Sequence, residues 1–266
     1  MNWALYIPVG LVAGFFSGVL GIGGGILIVP AIYYISILAG IPEAQAMQQA
    51  IATSLVVMIF SSLSSSFTHI LKKGMLWSIF KWMLVGICTG AVLGPLTSVN
   101  LSPKTLKHTL AILEIFMSLL IWIRIRTQAK AKEGLREPIF HPLIFIFLGM
   151  IISFLASILG IGGGFLIVPI LILLHYSPHK AIATSAMCVV PSSFIASITY
   201  FLVAKSLGYV PFYTLINLPA FVTLTLSTLI ATPLGALSCY RIPNRPLRMV
   251  FALFLLLIGL SFFIFK

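Results

Sequence analysis

The sequence predicts an all-α fold, a polytopic transmembrane helix bundle of two repeats, and three observations carry that expectation. Apolar residues fill 60% of the 266 positions and charged residues only 8%, against about 25% charged in a soluble domain. Apolar stretches recur along the whole chain at close to the roughly 20 residues that a membrane helix needs. A glycine-rich motif occurs twice in nearly identical form. A membrane β-barrel would alternate apolar and polar residues over roughly ten positions. Stretches such as 110–123 (Glu114 and Ser118 apart) and 250–265 are apolar without such alternation, which excludes it.

The duplication organises the chain. Residues 20–30 read LGIGGGILIVP and residues 159–169 read LGIGGGFLIVP, identical at ten of eleven positions. Ile51, Ala52, Thr53 and Ser54 recur as Ile182, Ala183, Thr184 and Ser185. Gly94 recurs as Gly235, each followed by a loop with two basic residues, Lys104 and Lys107 or Arg245 and Arg248. The expected layout is therefore a first repeat at 1–125, a charged cytoplasmic linker at 126–140 and a second repeat at 141–266.

Taken in order, segment 3–20 has no basic region ahead of it, so it reads as a first membrane segment rather than a cleaved leader. The glycine run 21–25 follows. Segment 26–39 is short for a crossing at about 1.5 Å per residue, and Pro30 removes a helical donor within it. These two segments form a broken helix hairpin that turns inside the membrane at GIGGG. Segments 44–70, 75–98 and 104–124 are long enough to cross. Gly86, Gly90 and Gly94 share one face of 75–98, the pattern of close helix packing. The second repeat follows suit, with segments 141–159, 165–175 (containing Pro169), 179–204, 211–238 and 246–265.

The net charge of +12 lies in short loops between apolar segments. That is the pattern of the positive-inside rule, not the basic stripe of a nucleic-acid binder. With the linker inside, an inverted pair of repeats puts Lys72, Lys73, Lys81, Arg124, the four basic linker residues, Lys180, Arg241, Arg245 and Arg248 on the inner side. Only Lys104, Lys107, Lys205 and Lys266 then lie outside. A parallel pair divides the charges more evenly, so inversion is favoured.

The chemistry points to the paired glycine runs. Irregular backbone at membrane depth is tolerated where it lines a cavity within the protein, and glycine lets a ligand approach the main chain. Helices starting at Ile26 and Phe165 would aim free N–H groups and a positive dipole end at that cavity. Two such ends facing one another suit a small anion at the midplane, a common transporter construction. The candidate ligands are Gly21, Gly23, Gly24, Gly25, Gly160, Gly162, Gly163 and Gly164. The matched hydroxyls Thr53, Ser54, Thr184 and Ser185 join them, with Ser61, Ser62, Ser192 and Ser193 lower in rank because such hydroxyls usually bond to their own helix. Glu114 lies midway along an apolar segment, where an ionisable group is a functional candidate. Its counterpart is Leu255, which sets it outside the symmetric site as a candidate for a coupling proton.

Other classes fit poorly. The chain has no aspartate, no GxSG sequence and no Walker A motif, so neither an intramembrane protease nor an ATPase is indicated. The GxGxxG spacing at Gly18 lacks the βαβ context of a dinucleotide fold. Cys88, Cys188 and Cys239 lie too far apart for a metal or disulfide framework and read as small buried residues. The five histidines sit near segment ends and read as interfacial. No cofactor or metal is expected. The partners are a small anionic substrate and membrane lipid, with no oligomer indicated.

With these motifs, the chain resembles the sulfite exporter TauE/SafE family, the toluene-sulfonate uptake permeases, over essentially its whole length. The resemblance implies a multi-pass permease of the cell inner membrane for sulfite, sulfoacetate or other organosulfonates. It also implies a binding site where the glycine turns meet. An anion-selective channel for another small oxyanion is the alternative.

Overall fold

A computed structural model describes residues 3–72, 74–128, 141–206, 215–241 and 244–264. Every regular element among them is a helix. In lipid each backbone polar group needs an internal partner, and a helix supplies one within the segment. A short 3-10 turn, Trp3–Leu5, leads into α1 (Tyr6–Leu20) and α2 (Gly25–Leu38). Then follow α3 (Glu43–Leu71), α4 (Trp77–Ser98) and α5 (Pro103–Gln128). The second set is α6 (Pro142–Leu159), α7 (Gly164–Leu173), α8 (Pro178–Ser206), α9 (Leu218–Ser238) and α10 (Asn244–Ile264).

Six of these, α3 to α6 with α8 and α9, are long and apolar enough to cross a membrane. At 15, 14 and 10 residues, α1, α2 and α7 are shorter. Several boundaries differ from expectation. Helix α9 starts at Leu218 rather than 211, because Asn217 caps it and accepts the Ala220 N–H at 3.2 Å; residues 211–214 lie outside the described ones. Helix α5 continues to Gln128, into the expected linker, whose residues 129–140 also lie outside the described ones. Neither Pro30 nor Pro169 ends its helix. Glu43 begins α3 rather than sitting in a loop.

The helices pack in reciprocal pairs. α4 lies on α6 and α1 on α9; α3 meets α9 as α8 meets α4; α2 lies on α3 and α7 on α8; and α3 touches α8 as α5 touches α10. The two tightest seams are lined with glycine. A β-carbon on Gly86, Gly90 or Gly94 would strike the α6 backbone at Ile146, Met150 and Phe154. One on Gly10, Gly14 or Gly18 would strike α9 along Leu224, Thr228 and Thr232. Residue numbers rise together along both seams, so each pair is parallel. Helices α5 and α10 run antiparallel, with the Ser118 hydroxyl on the Ala252 carbonyl and His108 stacked on Phe263.

The burial pattern is that of a molecule whose outside is apolar. Phe67, Leu143, Leu173 and Ile230 are each about two-thirds exposed, while Ser17, Thr53, Ser54, Ser61, Thr184 and Ser185 are sealed inside. Cys188 and Cys239 are buried as expected; Cys88 faces outward.

Candidate anion site at the glycine turns

The two glycine runs fold alike. Gly21, Gly23 and Gly24 hold φ of 66°, 80° and 83°, and Gly160, Gly162 and Gly163 hold 69°, 77° and 75°. An L-residue there would pay about 1–2 kcal/mol for the left-handed conformation. Gly21 and Gly160 close α1 and α6 as left-handed C-caps. Helices α2 and α7 then start at Gly25 and Gly164, one residue before the expected Ile26 and Phe165.

The turns meet. A β-carbon on Gly25 would press on the Gly160 carbonyl and Ile161, and one on Gly164 on the Gly21 carbonyl and Ile22. Two serines stitch the turns crosswise. Ser54 on α3 donates to the Gly160 carbonyl at 2.9 Å, and Ser185 on α8 donates to the Gly21 carbonyl at 2.8 Å. Ser61 adds a bond to the Gly23 carbonyl at 2.8 Å. With those carbonyls engaged, the turns present their N–H groups. Among the described residues nothing accepts from the N–H of Gly23, Gly24 or Gly25, nor from that of Gly162, Gly163 or Gly164. First-turn donors of this kind have no partner within their own helix.

Not all candidates converge. Gly24 and Gly163 turn their α-carbons toward α1 at Ala13 and α6 at Ile152. Thr53 and Thr184 lie away from the junction at two helix starts. The Thr53 hydroxyl accepts the Asn217 N–H ahead of α9, and that of Thr184 accepts the Leu76 N–H ahead of α4, both at 3.0 Å. Each also spans the two sets of helices, a role that sequence matching alone did not separate from ligation.

Two apolar residues between the turns were not singled out by the sequence. Met58 on α3 and Val189 on α8, equivalent positions of the duplication, both abut Gly23 and Gly162. Ser62, one turn beyond Met58, is fully buried, and its hydroxyl has no partner among the described residues.

Glu114 is elsewhere. It is fully buried on α5, and neither carboxylate oxygen has a hydrogen-bond partner among the described residues. Lys107, on the same buried face of α5, lies over the Tyr33 ring and 3.9 Å from Glu43. His69 departs from the interfacial expectation. It is buried, with Nε2 3.0 Å from the Gly18 carbonyl and Nδ1 3.1 Å from the Tyr240 hydroxyl. The carbonyl can only accept, so in the neutral ring Nε2 carries the proton and Tyr240 donates to Nδ1.

Two apolar clefts flank the bundle. One of about 60 Å³ lies between α5 and α7 and reaches Leu20, Ile22, Phe165 and Ile182, beside the turns. The other, of about 480 Å³, lies between α1, α2 and α10, with Pro30, Tyr34 and Ser261 on its wall.

The family model of the sulfite exporter TauE/SafE matches residues 6–262. The chain belongs to this family. Among curated proteins, this TauE/SafE member is 27% identical over 262 residues to a probable membrane transporter protein of Haemophilus influenzae, covering 98% of this chain and 97% of that one. It is 29% identical over 214 residues to the probable membrane transporter protein YunE of Bacillus subtilis, covering 75% and 78% of the two chains. A probable membrane transporter protein of Methanocaldococcus jannaschii is 28% identical over 257 residues, covering 96% and 93%. No solved structure matches the chain. The protein is thus a helical, multi-pass membrane transporter of the TauE/SafE family.

Proposed function

We propose that this transporter is a permease of the cell inner membrane that carries a small sulfur-containing anion, such as sulfite, sulfoacetate or another organosulfonate. The anion sits between the two glycine turns and is held by their N–H groups. The observation that carries this reading is the direct meeting of the turns, with their carbonyls engaged by Ser54, Ser61 and Ser185 and their N–H groups left to a ligand. Helix starts favour negative charge, so the site needs no basic side chain. The family name supplies the substrate class.

The repeats, 1–125 and 141–266 about a cytoplasmic linker, are read as inverted. The antiparallel α5 and α10 support this, since they are equivalent helices of the two repeats. So does the charge count, since an inverted layout divides the basic residues between the two sides more unevenly than a parallel one. Midplane sites between inverted repeats suit alternating access. Glu114 is proposed as the coupling residue, because an ionised carboxylate without a partner at that depth is costly and a proton relieves it.

The test is uptake of radiolabelled sulfite into liposomes holding the purified protein, with sulfate, sulfoacetate and chloride as competitors. Saturable uptake, accelerated by unlabelled sulfite inside the vesicle, is expected. Gly23→Leu and Gly162→Leu should abolish it. Glu114→Gln should keep exchange but lose acceleration by a pH gradient. Non-saturating currents without such acceleration would favour the channel, and no uptake of any sulfur oxyanion would refute the substrate class.

A further inference from the structure

The junction between the turns is filled by a side chain. A β-carbon on Gly25 would collide with the Met58 sulfur, one on Gly162 would sit 2.7 Å from it, and one on Gly23 3.4 Å. A single thioether therefore touches three candidate ligand positions, two on its own turn and one on the opposite turn. Val189, its counterpart, reaches Gly23 and Gly162 with one methyl, 2.8 and 3.0 Å from the same built positions. Met58 and Val189 are fully buried. An anion cannot enter this space while the sulfur occupies it.

The two residues differ in freedom. Val189 is β-branched and holds one dominant rotamer in a helix. Met58 is unbranched with three rotatable bonds, the most adaptable apolar side chain. It alone can withdraw without moving its helix.

Beside it stands a polar group with nothing to bond. The Ser62 hydroxyl lies 3.0 Å from the β-carbon position of Gly23, is fully buried, and has no partner among the described residues. Its counterpart Ser193 bonds back to the Val189 carbonyl at 2.7 Å. A buried hydroxyl without a partner carries a desolvation cost that an anion's oxygen would relieve. The two halves of the junction thus differ. The first offers a movable plug and a free donor, the second a fixed wall and a satisfied serine.

Resting on the permease reading above, we infer that Met58 is the gate of the anion site and Ser62 the hydroxyl that binds the oxyanion once the thioether swings aside. The closed site is then an occluded state of the carrier, and the apparent affinity for the anion includes the fraction of molecules with Met58 withdrawn.

The experiment compares wild type with Met58→Ala, Met58→Ile, Ser62→Ala and Ser193→Ala in liposomes, by initial rates of radiolabelled sulfite uptake. The sulfite-induced rise in thermal midpoint of each purified variant is measured alongside. Met58→Ala should lower KM at least threefold and admit sulfoacetate faster. Met58→Ile keeps bulk but stiffens the chain, so it should fold normally and lose at least tenfold in maximal rate. Ser62→Ala should raise KM about tenfold, the scale of one hydrogen bond to a charged group, and shrink the thermal shift; Ser193→Ala should do neither. If wild type takes up sulfite saturably but Met58→Ala and Met58→Ile match it, or Ser62→Ala and Ser193→Ala behave alike, the gate is wrong and the permease stands. If wild type neither transports sulfite nor is stabilised by it, both are wrong.

Discussion

At the residue scale, adjacent small hydroxyl residues do different work, and only contacts separate them. Thr53 and Ser54 are neighbours, yet Ser54 fastens the opposite glycine turn while Thr53 holds the start of α9. Thr53→Val and Thr184→Val keep the shape and remove the acceptor, so each should lower stability by about 1 kcal/mol with sulfite KM unchanged. Denaturation midpoints and uptake kinetics on the same preparations check this; a raised KM would return both threonines to the site. The glycine turns stood out in the sequence because four glycines within five residues of apolar chain have few structural uses. Met58 did not, and Ser62 ranked only low. Whether a serine's O–H is free depends on whether a carbonyl of its own helix accepts it, and an apolar methionine in a membrane helix looks the same whether it fills a core or closes a site. His69 was misread because nearness to a helix end says nothing of what folds over that end, here Gly18 and Tyr240.

At the scale of elements, glycine acts in two ways that substitution distinguishes. In the turns it supplies backbone conformation; along α1 and α4 it supplies thinness. Gly90 on α4 is helical, and its added β-carbon would meet the Met150 carbonyl and lie 2.8 Å from the Phe154 nitrogen. Gly90→Val and Gly14→Val should therefore prevent α4 and α6, or α1 and α9, from closing, and the protein should leave a sizing column as aggregate. Gly40 also has positive φ but opens on empty space. Replacing it with Asn, which tolerates that conformation, should leave the elution profile unchanged. Segment lengths were readable from apolar runs because the bilayer fixes how much helix is needed. The start of α9 was not, since its capping Asn217 is held in place by Thr53, far away in sequence.

At the scale of the whole molecule, inversion has a direct signature. The α4–α5 turn and the loop after α9 are equivalent in the duplication, so inverted repeats put them on opposite sides of the membrane and parallel repeats on the same side. In a chain stripped of its three cysteines, Asn100→Cys and Arg241→Cys should react with an impermeant maleimide from opposite sides. Labelling from the same side would remove the inverted layout and leave the helix bundle intact. The arrangement of charge gave this expectation because lysine and arginine record which loops stayed inside during insertion. Which helix lies on which could not be read that way, because lipid and protein neighbours are equally apolar.

The crossed seams have a consequence for how the protein is made. Each of the two tightest contacts joins a helix of one repeat to a helix of the other. As the ribosome delivers the chain, α1 enters the bilayer with its Gly10, Gly14 and Gly18 face bare, and that face finds its partner only when α9 emerges near the end of synthesis. The α4 face waits in the same way for α6. Contacts so distant along the chain are slow to form, so the nascent protein passes through a long interval as a loose set of inserted helices. Neither repeat can finish folding by itself, and the polar interior, the glycine turns included, is assembled last.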